Sequence, residues 1–129
     1  MSGNDQLRAI LARHCASLPD EVETAAATFA EAVLRRDSYN ALTCKVIEIV
    51  HKINGSSGSL GFGPLSTAAR DFEDALIESR AAETEPDEKQ IRSLYGLLEE
   101  MKVVAGRTVP EDSTLYQLDI AQLKGTHQT

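Results

Sequence analysis

Tryptophan is absent from the sequence, and only 5% of the 129 residues are aromatic. Proteins that bind single-stranded nucleic acid stack the bases on aromatic side chains, so this composition argues against that function. Positive charge is also scarce, because 13 lysines and arginines face 20 aspartates and glutamates and leave a net charge of −7 at pH 7. Sequence-independent binding of nucleic acid needs clustered lysine and arginine. We therefore expect no nucleic-acid partner.

Long apolar runs, a secretion signal and paired cysteines are missing as well. No stretch approaches the roughly 18 consecutive apolar residues that a membrane span needs. The N-terminus lacks a basic segment followed by an apolar one, so no signal peptide is predicted. The two cysteines, Cys15 and Cys44, show no CxxC spacing, which is typical of reduced thiols. We expect a cytoplasmic protein without a membrane segment.

The sequence also lacks recognisable sites for nucleotides and metals. Gly58 and Gly63 have the spacing of a phosphate-binding loop, but Pro64 and Leu65 stand where that loop needs lysine and then serine or threonine. No histidine, cysteine and carboxylate set has the helical spacing of a metal site. We therefore expect no metal site and no cofactor of the chain's own. Without an ATP site, the chain would not be an autonomous kinase.

Residues that favour helices, among them alanine, leucine, glutamate and arginine, dominate most segments of the sequence. Apolar residues recur at helical spacing, with a helix end and a new start expected around Pro19. We predict an all-α protein with one antiparallel up-down four-helix bundle over residues 1–108, capped by a short extra N-terminal helix. A C-terminal tail, residues 109–129, is expected to be partly helical or loosely ordered. The predicted helices lie near residues 7–15, 22–33, 41–60, 64–76 and 91–105.

The helix predicted over residues 41–60 carries the one histidine with unusual neighbours. At about 100° per residue, its apolar residues form one stripe, and His51 lies about 155° from the centre of that stripe. His51 is therefore expected to be exposed and mid-bundle, with Gly55 and Gly58 following on its side of the helix. Each glycine costs a helix interior about 0.8–1 kcal/mol relative to alanine. Either the two glycines clear space beside His51, or the helix ends at Ile53 and a loop follows.

Residues 51–62, HKINGSSGSLGF, resemble the signature of the histidine-containing phosphotransfer (Hpt) domains of bacterial phosphorelays. That signature reads roughly H-x-x-K-G-[SA]-[SAG]-x-x-[LVF]-G-[ALF] and lies in the second helix of a four-helix bundle. Residues 65–75 resemble the following helix of the family, in which a glutamate stands near the position of Glu73. The resemblance covers about residues 19–106. It implies that His51 accepts and donates a phosphoryl group.

The sequence departs from the family pattern at Asn54. The family usually has a lysine three residues after the histidine, where its ammonium can meet the phosphoryl oxygens. We expect Lys52, Asn54 and Gly55 to neighbour the phosphoryl group, with the Asn54 amide bound to a phosphoryl oxygen and Lys52 supplying a screened positive charge. The alternative is that Asn54 is simply solvated. The surface that meets a partner is expected to comprise Cys44, Ile47, Glu48, Gly58 and Ser59, with Arg70 and Glu73 at its margin.

The resemblance implies receiver domains as partners, because a phosphohistidine relay needs an aspartate donor and an aspartate acceptor. We expect a monomer that moves phosphoryl groups from the receiver of a hybrid histidine kinase to a response regulator, with Mg²⁺ held by the receiver. Met1 and the length of the tail favour a stand-alone protein over the phosphotransfer domain of a larger chemotaxis-type kinase. A third reading is a non-catalytic helical adaptor that binds a receiver, which the neutral Asn54 would favour.

Overall fold

The computed structural model describes residues 3–82 and 84–127, with side chains described for residues 4–82 and 84–121. These residues form helices and no strand, which confirms the predicted all-α class. Two short 3-10 turns, Arg36–Ser38 and Pro110–Asp112, join longer helices. Residues 1–2 and 128–129 of the predicted ranges lie outside the described residues. The helices are α1 (Gly3–Leu34), α2 (Tyr39–Ser59), α3 (Gly63–Ala81), α4 (Glu88–Arg107) and α5 (Thr114–His127).

Helices α1 to α4 form the bundle. Helix α2 packs against α1 and α3, and α4 packs against the same two helices, so α2 and α4 occupy opposite corners. An aromatic cluster ties three of the helices together, because the ring of Phe29 on α1 meets Phe72 on α3 and Tyr95 on α4 edge-on. The large apolar side chains of this core are almost fully buried, which supplies the main free energy of folding.

The prediction of a separate short N-terminal helix is wrong, because α1 continues through Pro19 without a break. A proline inside a helix costs about 3 kcal/mol. Here Leu11 and Leu18 before it and Val22 after it are all buried on one face of α1. These residues are seven and four positions apart, so both halves share one apolar stripe in phase. Burial on both sides of Pro19 outweighs the local cost of the proline.

The C-terminus of α2 ends in a Schellman motif, which positions the start of α3. Gly61 has a φ of +84°, a left-handed conformation that glycine adopts without a steric penalty. The amide of Phe62 donates to the carbonyl of Ser57, and the amide of Gly61 donates to the carbonyl of Gly58. Helix α3 then begins at Gly63, with Pro64 in its first turn as predicted. The turn therefore reverses the chain so that α3 returns along α2.

The segment after the bundle docks on the end of α2 and on the N-terminal part of α1. The hydroxyl of Ser113 donates to the carbonyl of Leu60, and the amide of Thr114 donates to the carbonyl of Gly61. Asp119 is buried and forms an ion pair with Arg8 at 3.4 Å. Helix α5 lies within the predicted tail, and the N-terminal part of α1 is one of the surfaces against which it packs.

Candidate functional site

Helix α2 presents His51 to solvent in the middle of the bundle. The helix buries Val46, Val50 and Ile53 on its inner face, while the His51 side chain is 73% exposed. The helix runs on through Gly55 and Gly58 to Ser59, so the alternative of a loop after Ile53 is wrong. Because Ser57 is also buried, the inner face stays in phase beyond the first glycine. The predicted orientation of His51 is thus confirmed.

Glu73 on α3 orients the imidazole of His51 through a hydrogen bond. Its Oε2 atom lies 2.6 Å from Nδ1 of His51, and its side chain is only 9% exposed. Since a carboxylate can only accept, Nδ1 carries the hydrogen and donates it. The lone pair of the neutral ring then resides on Nε2. Glu73 was predicted at the margin of an exposed partner surface, but its burial makes it a positioning residue for His51.

Sequence reasoning found no side chain to orient His51 because the two residues are 22 positions apart on different helices. The signal that could have identified Glu73 is a carboxylate close to the apolar stripe of the next helix. Leu65, Ala69, Phe72 and Leu76 define that stripe, and Glu73 directly follows Phe72. A buried carboxylate needs a partner, and the exposed side of α2 offers His51.

Asn54 lies one turn after His51 and is tied to α3 by Ser66. The Ser66 hydroxyl donates to Oδ1 of Asn54 at 2.6 Å, a distance typical of an O–H···O bond. Asn54 is therefore not simply solvated, and Ser66 is a residue that sequence reasoning missed. With Oδ1 engaged, the amide NH₂ group is left without a hydrogen-bond partner among the described residues. The bond from Ser66 therefore fixes the orientation of the Asn54 side chain and leaves its NH₂ group available as a donor.

The two glycines of α2 have different surroundings. A Cβ atom on Gly55 would meet nothing within 4 Å, which agrees with the prediction of cleared space near His51. A Cβ atom on Gly58 would come to 3.2 Å from the hydroxyl of Ser66, so Gly58 allows α3 to approach α2 closely. A shallow depression of about 550 Å³ lies on the outer side of α2, lined by His51, Lys52, Gly55, Ser56, Ser59 and Leu60.

The other predicted partner residues divide by exposure. Glu48 and Ser59 are exposed, whereas Cys44 and Ile47 are half-buried. Ile47 packs against the core, so it belongs to the edge between the core and the His51 face. None of the described residues forms a group of three or more histidine, cysteine or acidic side chains that could hold a metal.

His14 on α1 lies on the opposite side of α2 from the exposed face. Its ring stacks on Phe62 with centroids 5.6 Å apart, and Nε2 lies 3.1 Å from the Ser57 hydroxyl. Burial lowers the pKa of His14, and the charge of Glu21 opposes part of that effect. His14 is therefore a partly buried packing residue.

Comparison with known protein families identifies the family to which this chain belongs. A family model for the Hpt domain matches residues 7–106, most of the chain. The chain belongs to the Hpt domain family. No similar curated protein and no similar solved structure was found.

Hpt domains carry out histidine phosphotransfer in phosphorelays and interact with receiver domains. The Hpt match begins at residue 7, so it includes most of the N-terminal half of α1 as well as the bundle core. It ends at residue 106, before the segment that docks through Ser113. No helix in the described part of this Hpt chain is long and apolar enough to cross a membrane.

Proposed function

We propose that this chain relays a phosphoryl group between aspartates of receiver domains, from a hybrid histidine kinase to a response regulator, through phospho-His51. The observation that carries the proposal is the exposed imidazole whose Nδ1 atom is held 2.6 Å from the buried Glu73 carboxylate. This arrangement leaves Nε2 as the nucleophile and turns it toward a partner. The proposed protein is a cytoplasmic monomer without a cofactor of its own.

In the forward step, the lone pair of Nε2 of His51 attacks the phosphorus of an aspartyl phosphate on the donor receiver. The N–P bond forms while the P–O bond to the aspartate breaks, and the bonding electrons leave with the carboxylate. The ring gains positive charge during this step, and the Glu73 carboxylate on Nδ1 stabilises it. Transfer to the second receiver is the same exchange in reverse, with an aspartate carboxylate as nucleophile. Mg²⁺ on the receiver would neutralise phosphoryl charge in both steps.

Asn54 and Lys52 are the proposed neighbours of the phosphoryl group on α2. The Asn54 NH₂ group can donate a hydrogen bond to a phosphoryl oxygen, because Ser66 already occupies its Oδ1 atom. Lys52 lines the depression next to His51, so it supplies a cation on the side of His51 away from Asn54 and Ser66. Gly55 gives the receiver room to bring its own backbone close.

The test is phosphorylation by a phosphorylated receiver domain, followed by the stability of the label. Phosphohistidine is labile in acid and stable in base, and peptide mapping would place it on His51. We expect label on the wild-type chain and on His14→Gln, and none on His51→Gln. Label that persists in His51→Gln would overturn the assignment of the acceptor.

A second candidate function is a helical adaptor that binds a receiver without accepting the phosphoryl group. The observation that favours it is the neutral Asn54 at the position where the family usually has lysine. A wild-type chain that binds the receiver but takes up no label would support the adaptor and overturn the relay.

A further inference from the structure

A phosphoryl group on His51 needs more positive charge than α2 provides. A phosphate group adds about −1.5 to −2 charges near neutral pH. Glu73 adds a carboxylate beside the same ring, and Asn54 is neutral. Lys52 is the cation of α2 next to His51, on the flank that lines the depression. On the flank of His51 that faces α3, the neutral Asn54 and the acidic Glu73 therefore supply no positive charge.

Two contacts fix the register of α3 against this flank. Glu73 contacts His51, and Ser66 contacts Asn54. Arg70 lies between Ser66 and Glu73 along α3, four residues after the first and three before the second. Residues at this spacing share one face of a helix. Arg70 thus stands beside the segment of α2 that runs from His51 to Asn54.

Arg70 also lies on the solvent side of that contact line. Leu65, Ala69, Phe72 and Leu76 mark the buried face of α3, and Arg70 is exposed. Its guanidinium forms no hydrogen bond or ion pair with any other described residue. Asp74, one turn further along α3, does not pair with it either. The guanidinium is therefore free to bind an anion outside the α2–α3 groove.

Given the proposed function, we infer that Arg70 is a phosphoryl-binding residue, which supplies from α3 the positive charge that Asn54 does not supply from α2. A guanidinium suits this role because its planar fork can donate two hydrogen bonds to two phosphoryl oxygens. Arg70 and the Asn54 amide would then hold the group from one flank, and Lys52 from the other. In this arrangement Arg70 touches the transferred group, whereas Ser66 acts through Asn54.

The experiment compares wild-type chain, Arg70→Gln, Arg70→Lys and the control Arg92→Gln. Arg92 is exposed on α4, at the corner of the bundle opposite α2, so the control removes the same charge at a distance. Each chain is phosphorylated both by a phosphorylated receiver and by phosphoramidate, a small donor that needs no docking surface. We expect Arg70→Gln to slow both reactions about two- to fivefold, in the range of an exposed ion pair. Arg70→Lys should recover part of the rate, and Arg92→Gln should match wild type.

A second readout follows the phosphoryl group itself by ³¹P NMR. Loss of a neighbouring cation disfavours the dianion, so the pH at which the phosphoryl group takes up a proton should rise by about a few tenths of a unit in Arg70→Gln. Slowing with the receiver alone and no change in that pH would overturn the inference and make Arg70 a receiver contact. Rates equal to those of Arg92→Gln would overturn it as well. No label on the wild-type chain from either donor would instead overturn the proposed function.

Discussion

The carboxylate of Glu73 lies 2.6 Å from Nδ1 of His51, and the two side chains differ sharply in exposure, at 9% and 73%. The buried member is fixed by the packing of α3, so it holds the exposed member in one orientation. A hydrogen bond to a charged group is stronger than a neutral one. The pair therefore fixes both the tautomer of the ring and the direction in which Nε2 faces.

Replacing Glu73 by glutamine tests this coupling. Glu73→Gln keeps an oxygen that can accept from Nδ1 but removes the charge that stabilises the ring during transfer. We expect phosphorylation of His51 to be about three- to tenfold slower. This range reflects the loss of a charged hydrogen-bond partner, reduced because His51 is exposed to solvent. This decrease is measured as the rate at which each chain takes up label from a phosphorylated receiver. Glu78→Gln, an exposed change on the same helix, is the control and should keep the wild-type rate. Equal rates for the two variants would contradict the role of Glu73.

Gly55 offers a test that separates stability from docking. Because a Cβ atom there meets nothing within 4 Å, Gly55→Ala should raise the free energy of unfolding by about 0.5–1 kcal/mol through helix propensity. Gly55 lines the same depression as His51, so the added methyl group should slow transfer from a receiver about tenfold, since small displacements of reacting groups are costly. Phosphorylation by phosphoramidate should stay unchanged.

Gly96→Ala is the matched control for that prediction. Gly96 lies inside α4, and a Cβ atom there also meets nothing within 4 Å. It should give a similar gain in stability with wild-type transfer. Equal transfer rates for the two alanine variants would mean that the receiver does not approach α2 at Gly55.

Much of the fold and part of the site follow from the sequence because they depend on local periodicity. The apolar stripe of α2 places His51 on the outer face, and the buried Ser57 keeps that stripe in phase past Gly55. The break predicted at Pro19 is wrong because a proline is a local signal, whereas the buried stripe on both sides of it keeps α1 continuous. Glu73 and Ser66 were missed as partners of α2 because their contacts depend on how α3 is set against α2. That register is set by the turn at Gly61 and by packing between helices, which local periodicity does not contain.

The turn at Gly61 should tolerate no side chain. Its φ of +84° costs an ordinary residue about 1–2 kcal/mol. An added Cβ atom would also come to 2.9 Å from the amide nitrogen of Thr114, which is backbone. We expect Gly61→Ala to lower the free energy of unfolding by about 2–5 kcal/mol in urea denaturation, adding the cost of overpacking. Gly63→Ala, where a Cβ atom meets nothing within 4 Å, should be close to neutral. Similar losses at both positions would show that the docked segment does not constrain the turn.

His14 should make stability depend on pH in a defined window. Burial lowers the pKa of His14 in the folded chain, with Glu21 opposing part of the shift, so the unfolded chain takes up the proton first as the pH falls. Stability is therefore lost from about pH 6.5, the ordinary histidine value, down to the lowered pKa of the folded state. His14→Gln keeps a group that can bond the Ser57 hydroxyl but cannot titrate there. Urea unfolding at pH 7.5 and pH 5.5 should show a larger loss for wild type than for His14→Gln. Because both proteins share every carboxylate, the difference isolates His14, and equal losses would contradict the prediction.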